Sequence, residues 1–89
     1  MASYELIFRK SIAKDLRVFP KRDIKRIMQR IRSLANDPRP PGCERLSGRE
    51  RYRIRQGDYR IIYAIEDNRL TVLIVKVGHR SDVYRKEPV

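Results

Sequence analysis

The sequence predicts an α+β fold of order β-α-α-β-β-β, in which a helical hairpin packs on one face of a mostly antiparallel four-stranded sheet and a short C-terminal tail follows. Three observations lead there. Apolar residues from Lys21 to Ala35 recur at helical spacing. From Arg51 to Tyr84 the chain (RYRIRQGDYRIIYAIEDNRLTVLIVKVGHRSDVY) reads as β-like runs joined by two very short turns. The 89 residues also hold no repeat, low-complexity tract or shift of composition. Residues 1–89 are therefore expected to form a single domain, whose small core buries roughly 60–65% of the unfolded surface.

Tyr4 to Phe8 opens the chain as a strand, with Tyr4, Leu6 and Phe8 on one side. Ser11 is placed to cap a helix from Ile12 to Phe19, whose Ile12, Ala13, Leu16 and Phe19 share a face and which Pro20 stops. The next helix has the cleaner pattern: Ile24, Ile27, Met28, Ile31, Leu34 and Ala35 follow the i, i+3, i+4, i+7 rule. Its other face carries Lys21, Arg22, Lys25, Arg26, Arg30 and Arg32, a nearly all-positive surface that suits docking on a nucleic-acid backbone better than simple solvation. Asn36, Asp37 and Pro38 end it. The following DPRPPGCERLSGRER is a stiff proline- and glycine-punctuated loop, with Leu46 as its one large apolar anchor and Cys43 as a passive member.

A two-residue turn at Gly57 and Asp58 folds Arg51 to Glu66 into a hairpin. Tyr52, Ile54, Ile61, Tyr63 and Ile65 fall on one face, and Arg51, Arg53, Arg55 and Arg60 on the other, with Arg55 directly opposite Arg60. Opposed like charges weaken a sheet, so the pairing suits an anion lying between them. Glu66 to Arg69 turn the chain again. Leu70 to Val77 is apolar on both faces, as a central strand is, so Leu73 and Val75 need cover on the arginine side, from the tail or from a partner.

Composition points to the class of partner. The formal net charge is +11, with 37% of residues charged, which favours a polyanion and leaves self-repulsion that a nucleic acid or an acidic protein relieves on binding. The single cysteine, Cys43, has no thiol partner for a disulfide or a zinc site and fits a reducing compartment, with the cytoplasm as the expected location. The N-terminus lacks the apolar core of a signal peptide, and no apolar run approaches the roughly 18 residues of a membrane span. A soluble, unprocessed protein without membrane association is expected.

Chemistry has few places to reside. The acids Asp58, Asp67, Asp82 and Glu66 fall at turns without the clustering of a two-metal nuclease, and there is no glycine-rich phosphate loop and no GxSxG. An enzyme acting here on phosphates is expected to need no metal or other cofactor. Metal-free RNA cleavage asks the protein to take a proton from the ribose 2′-hydroxyl, neutralise the phosphorane and assist the departing 5′-oxygen. Arginine serves the second task, since its fork grips phosphate, but it stays protonated above about pH 12 and is a poor base. Histidine and tyrosine move protons, and His79 and Tyr84 stand with Arg80 just after the last strand.

The run YRIRQGDYRIIYAIEDNRLTVLIVKVGHRSDVYR, with RLSGRERYRI before it, resembles the signature of the RelE toxins of toxin–antitoxin pairs, and the preceding β-α-α pattern extends the resemblance over almost the whole chain. It implies a ribosome-dependent endoribonuclease that cuts mRNA in the A site of the 70S-type ribosome without metal, leaving a 2′,3′-cyclic phosphate and a 5′-hydroxyl. By position, Arg60 would stabilise the transition-state phosphate, Arg80 would help the leaving oxygen, and Tyr84 would orient the 2′-hydroxyl and stack near the base. Arg51, Arg53 and Arg55 become phosphate-binding residues, and Lys21, Arg22, Lys25, Arg26 and Arg30 a ribosome-docking surface.

The resemblance also implies a cognate antitoxin, with operator DNA bound only through the toxin–antitoxin complex. Relatives carry lysines where Arg53 and Arg55 stand and use them in the base step; arginine cannot take that part, and His79 is the expected replacement. Two alternatives remain on sequence grounds. One is a ParE-like DNA gyrase inhibitor, against which Arg60, Arg80 and Tyr84 together argue; the other is a non-catalytic basic nucleic-acid-binding module.

Overall fold

The computed structural model describes residues 3–46 and 50–79. The elements are β1 (Glu5–Phe8), α1 (Ser11–Arg17), α2 (Lys21–Ser33), β2 (Glu44–Leu46), β3 (Arg51–Gln56), β4 (Tyr59–Glu66) and β5 (Thr71–His79), with a 3-10 turn at Asp67–Arg69. They form one five-stranded sheet of order β1-β5-β4-β3-β2. β1 runs parallel to β5 and every other neighbouring pair is antiparallel. The predicted α+β class, helical hairpin and mostly antiparallel sheet are all present.

Two local expectations change. Ser11 is the first helical residue of α1 rather than its cap; the capping position falls to Lys10, without a side-chain hydrogen bond. The reason lies upstream. The Arg9 amide still pairs with the Ile74 carbonyl at 3.1 Å and the Arg9 carbonyl already accepts from the Ile12 amide at 3.0 Å, so strand passes into helix with no residue left for a cap. The sheet also has five strands rather than four, because Glu44–Leu46 of the expected loop pairs with Arg51–Arg53 along the free edge of β3.

Helix α2 begins where proline permits. Pro20 sits at the capping position in extended conformation, and its carbonyl accepts from the amides of Asp23 and Ile24, both at 3.0 Å. The apolar stripe of α2 then meets the sheet. Ile27, Ile31 and Leu34, with Ile12 of α1, join Tyr52, Ile54, Ile61, Tyr63, Val72, Ile74 and Val77 in the main core. Tyr63 is fully buried there, and its hydroxyl donates 2.7 Å to the Pro38 carbonyl, pinning the proline loop to the sheet.

The other face of the sheet carries a smaller cluster. Ile62 and Val75 are buried there with Leu46 and Leu73 against them, so the cover that the arginine side needs comes in part from β2. Leu46 does anchor its segment, on the face opposite the main core.

One irregularity organises the far end of β5. Ile62 pairs with Lys76 but Tyr63 pairs with Ile74, so Val75 is an extra residue in a β-bulge. Up to the bulge, Val72 and Ile74 face the helices; beyond it Val77 does, so one inserted residue reverses the alternation. Past the end of β1, the edge of β5 is capped by a side chain: Asp15 Oδ2 of α1 accepts from the Val77 amide at 3.2 Å, and Lys76 Nζ lies 3.5 Å from Asp15 Oδ1.

Candidate active site on the open face of the sheet

Strand alternation and hairpin register build the site. The turn at Gly57, whose φ of 61° favours glycine, leaves Gln56 paired with Tyr59, Arg55 with Arg60 and Arg53 with Ile62. Arg51, Arg53, Arg55 and Arg60 therefore project from the face away from the helices. Arg60 is the notable member, only 6% exposed. A cation so deep in a polar row is well placed to meet a desolvated anion, where its charge counts for more than at the surface. Across β5, the residue beside it is Gly78, which adds no side chain to that face.

The same register brings in an acid. Glu44 of β2 pairs directly with Arg53, and its Oε1 accepts from Arg53 Nε at 3.2 Å and from Nη2. The hydrogen bond and charge of Arg53, and then the fields of Arg55 and Arg60, hold the Glu44 carboxyl below the ordinary glutamate range. Read from sequence, Glu44 belongs to the loop and has no role; the one hint is Leu46 two residues on, the spacing of one strand face.

His79 is not brought to this row. It pairs with Tyr59, and its ring meets the Tyr59 ring edge-on at 5.8 Å on the helix side of the sheet. The bulge at Val75 is the cause: without the extra residue, His79 would share the face of Leu73 and Val75. Tyr59 in turn packs on Phe19 at 4.6 Å and donates 2.8 Å to Asp23 Oδ2, which raises its own pKa. Asp23, Arg26, Tyr59 and His79 thus line a small polar pocket beside the hairpin turn. Arg80 and Tyr84 lie outside the described residues.

The second cationic surface is separate. Lys21, Arg22, Lys25 and Arg26 are on the outer side of α2, with Arg30 half-buried, across the sheet from the arginine row. Behind β2, Arg39 fastens the proline loop. Its Nη1 and Nη2 reach the two carboxylate oxygens of Asp67 at 3.3 and 3.0 Å, Nε donates to the Tyr52 hydroxyl at 3.3 Å, and Tyr4 also donates to Asp67, at 2.7 Å. This network sets the course of the segment that delivers Glu44.

Known proteins resemble this arrangement throughout. Residues 6–84 match the family described as ParE toxin of type II toxin-antitoxin system, parDE. Toxin RelG of Mycobacterium tuberculosis is 50% identical over 32 residues, 36% of this chain and 37% of that protein, so the chain matches little more than a third of that relative's length. The match in solved structures is longer. The RelBE2 toxin–antitoxin complex of M. tuberculosis aligns with a TM-score of 0.80 and 28% identity over 92% of this chain and 97% of that one. The archaeal RelE–RelB complex of Pyrococcus horikoshii gives 0.79 and 28% over 88% and 96%. With the family match spanning nearly all of the sequence and the fold shared with solved RelE complexes over about nine-tenths of the chain, the protein belongs to the ParE toxin family of type II toxin–antitoxin systems, as a RelE-family member.

Proposed function

We propose that this toxin is a ribosome-dependent endoribonuclease that cuts mRNA in the ribosomal A site by attack of the 2′-hydroxyl on the adjacent phosphorus, needs no metal, and is neutralised by a cognate antitoxin. The observation that carries the reading is the row of Arg53, Arg55 and buried Arg60 on an open sheet face, where opposed arginines call for an anion between them. In this reading Arg60 meets the phosphorane, Arg51, Arg53 and Arg55 clamp flanking phosphates, and Arg80 and Tyr84 serve the leaving oxygen and the attacking hydroxyl. His79, held against Tyr59, would orient the start of the Arg80 to Tyr84 segment. The cationic outer face of α2 would dock on ribosomal RNA, with affinity falling steeply with salt.

The antitoxin reading draws support from the two solved relatives, one a RelBE2 toxin–antitoxin complex and the other a RelE–RelB complex. Ile7 and Phe8, 43% and 38% exposed beside a strongly basic surface, are the kind of residues such a partner would cover. Operator DNA would be bound by the pair and not by this chain alone.

A second reading, inhibition of DNA gyrase, is favoured by the parDE description of the matched family. Expression from a tight promoter with mapping of mRNA 5′ ends separates the two. In-frame, codon-phased cuts support the nuclease, and DNA damage without mRNA cuts supports gyrase poisoning. The Arg60→Ala, Arg80→Ala double variant is expected to lose cleavage by orders of magnitude while still binding ribosomes, and retained toxicity would refute the site assignment.

A further inference from the structure

Among the described residues, the arginine face holds none of the proton acceptors that the sequence suggests for it. Guanidinium groups cannot take the 2′-hydroxyl proton at neutral pH, and His79 lies on the other side of the sheet. Two described carboxylates share the arginine face. Glu66 stands six residues along β4 from Arg60, roughly 20 Å at about 3.3 Å per residue, too far to serve the same phosphate. Glu44 is adjacent. It sits directly opposite Arg53, two residue pairs along the hairpin from Arg55–Arg60 and on the same face, and its side chain is 53% exposed while that of Arg53 is 17% exposed. Its carboxylate is thus open to solvent and substrate while its position is set by two Arg53 nitrogens that both donate to Oε1.

We propose that Glu44 is the general base of this site, taking the 2′-hydroxyl proton of an RNA whose scissile phosphate lies on Arg53, Arg55 and Arg60; the proposal rests on the nuclease reading above. In the step, the O–H proton passes to the Glu44 carboxylate as the freed oxygen pair forms the P–O2′ bond. The P–O5′ bond then breaks with its electrons on O5′, which takes a proton from solvent. Glu44 afterwards returns its proton to solvent, so no proton is gained or lost overall.

The surrounding cations make this workable. Before RNA binds, the hydrogen bond and charge of Arg53, with Arg55 and Arg60 behind it, keep Glu44 ionised and weakly basic. A phosphate dianion-like transition state on the same arginines offsets that field, so basicity rises at the moment the proton must move. Arg53, bonded to Glu44 in the free protein, also holds the carboxylate toward the phosphate site.

Glu44→Gln tests this with little change of shape. On ribosomes programmed with a susceptible codon, single-turnover cleavage is expected to fall by roughly 10²–10⁴-fold. Binding to ribosomes whose mRNA carries a 2′-deoxy nucleotide at the cleaved position should stay unchanged, and the melting temperature should confirm folding. A purely structural role would not move the pH profile. Between about pH 6.5 and 8.5 the residual rate of the variant should rise with hydroxide about one log unit per pH unit more steeply than that of the unsubstituted chain, whose base is ionised throughout. Cleavage within threefold of the unsubstituted chain, or an unchanged pH slope, overturns the assignment of Glu44 alone. Absence of cleavage by the unsubstituted chain overturns the nuclease reading and this assignment with it.

Discussion

The Tyr59 hydroxyl donates a 2.8 Å hydrogen bond to Asp23 Oδ2, tying the first residue of β4 to the first turn of α2. The bond joins the hairpin that carries the arginine row to the helix that carries the other cationic surface, and the Tyr59 ring supports both Phe19 and His79. Tyr59→Phe should cost roughly 0.5–1.5 kcal/mol in urea unfolding at neutral pH. The bond to Asp23 raises the phenol pKa above its unfolded value, so its stabilisation is complete below about pH 10 and is lost as pH rises through the folded value. The gap between the two proteins should therefore close in alkali; a gap that persists would show that the ring and not the hydroxyl matters.

Asp67 carries the opposite sign. Hydrogen bonds from Arg39 and then Tyr4 hold its carboxyl below the usual range, so its contribution is present above the ordinary carboxylate pKa and is lost as pH falls through the lowered one. Asp67→Asn should unfold at lower urea than the unsubstituted chain near neutrality, and the two midpoints should converge as pH falls below the ordinary carboxylate range. Equal midpoints at neutral pH would mean that the Arg39 clamp does not steady the fold.

The cap on the β5 edge is a third measurable feature. Asp15→Ala removes the acceptor of the Val77 amide and the partner of Lys76, for an expected loss of about 1–3 kcal/mol. Amide exchange reports it directly: Val77 should exchange faster in Asp15→Ala, and less so in Asp15→Asn, which keeps an acceptor oxygen. Unchanged exchange at Val77 would place its protection elsewhere.

Arg60→Lys separates charge from shape. Lysine keeps the positive charge but loses the planar fork that grips two phosphate oxygens. Single-turnover cleavage should drop by about 10²–10³ while ribosome binding persists, measured with the circular dichroism spectrum as a check on folding at so buried a position. A variant with full activity would show that a point charge suffices there.

Much of this was legible in the sequence. The stripe of α2 and the alternation of β3 and β4 are strong periodic signals, because each element buries one continuous face, and the Gly57-Asp58 turn sets the register that opposes Arg55 to Arg60. The family resemblance rested on the same stretch and agrees with the match over residues 6–84. Weak local signals fared worse. Glu44–Leu46 is three residues long and surrounded by loop composition, so only the free edge of β3 makes it a strand.

The sequence by itself determined the residue types and periods: a helix with an apolar stripe, a hairpin with an apolar and an arginine face, and a chain with an excess of cations. Tertiary structure alone decided which groups share the arginine face. Alternation has a period of two, so the single inserted residue at Val75 carries His79 to the helix side, while edge pairing carries Glu44 in beside Arg53. Neither event leaves a periodic trace in the chain, because both arise from how β5 and β2 meet their neighbours.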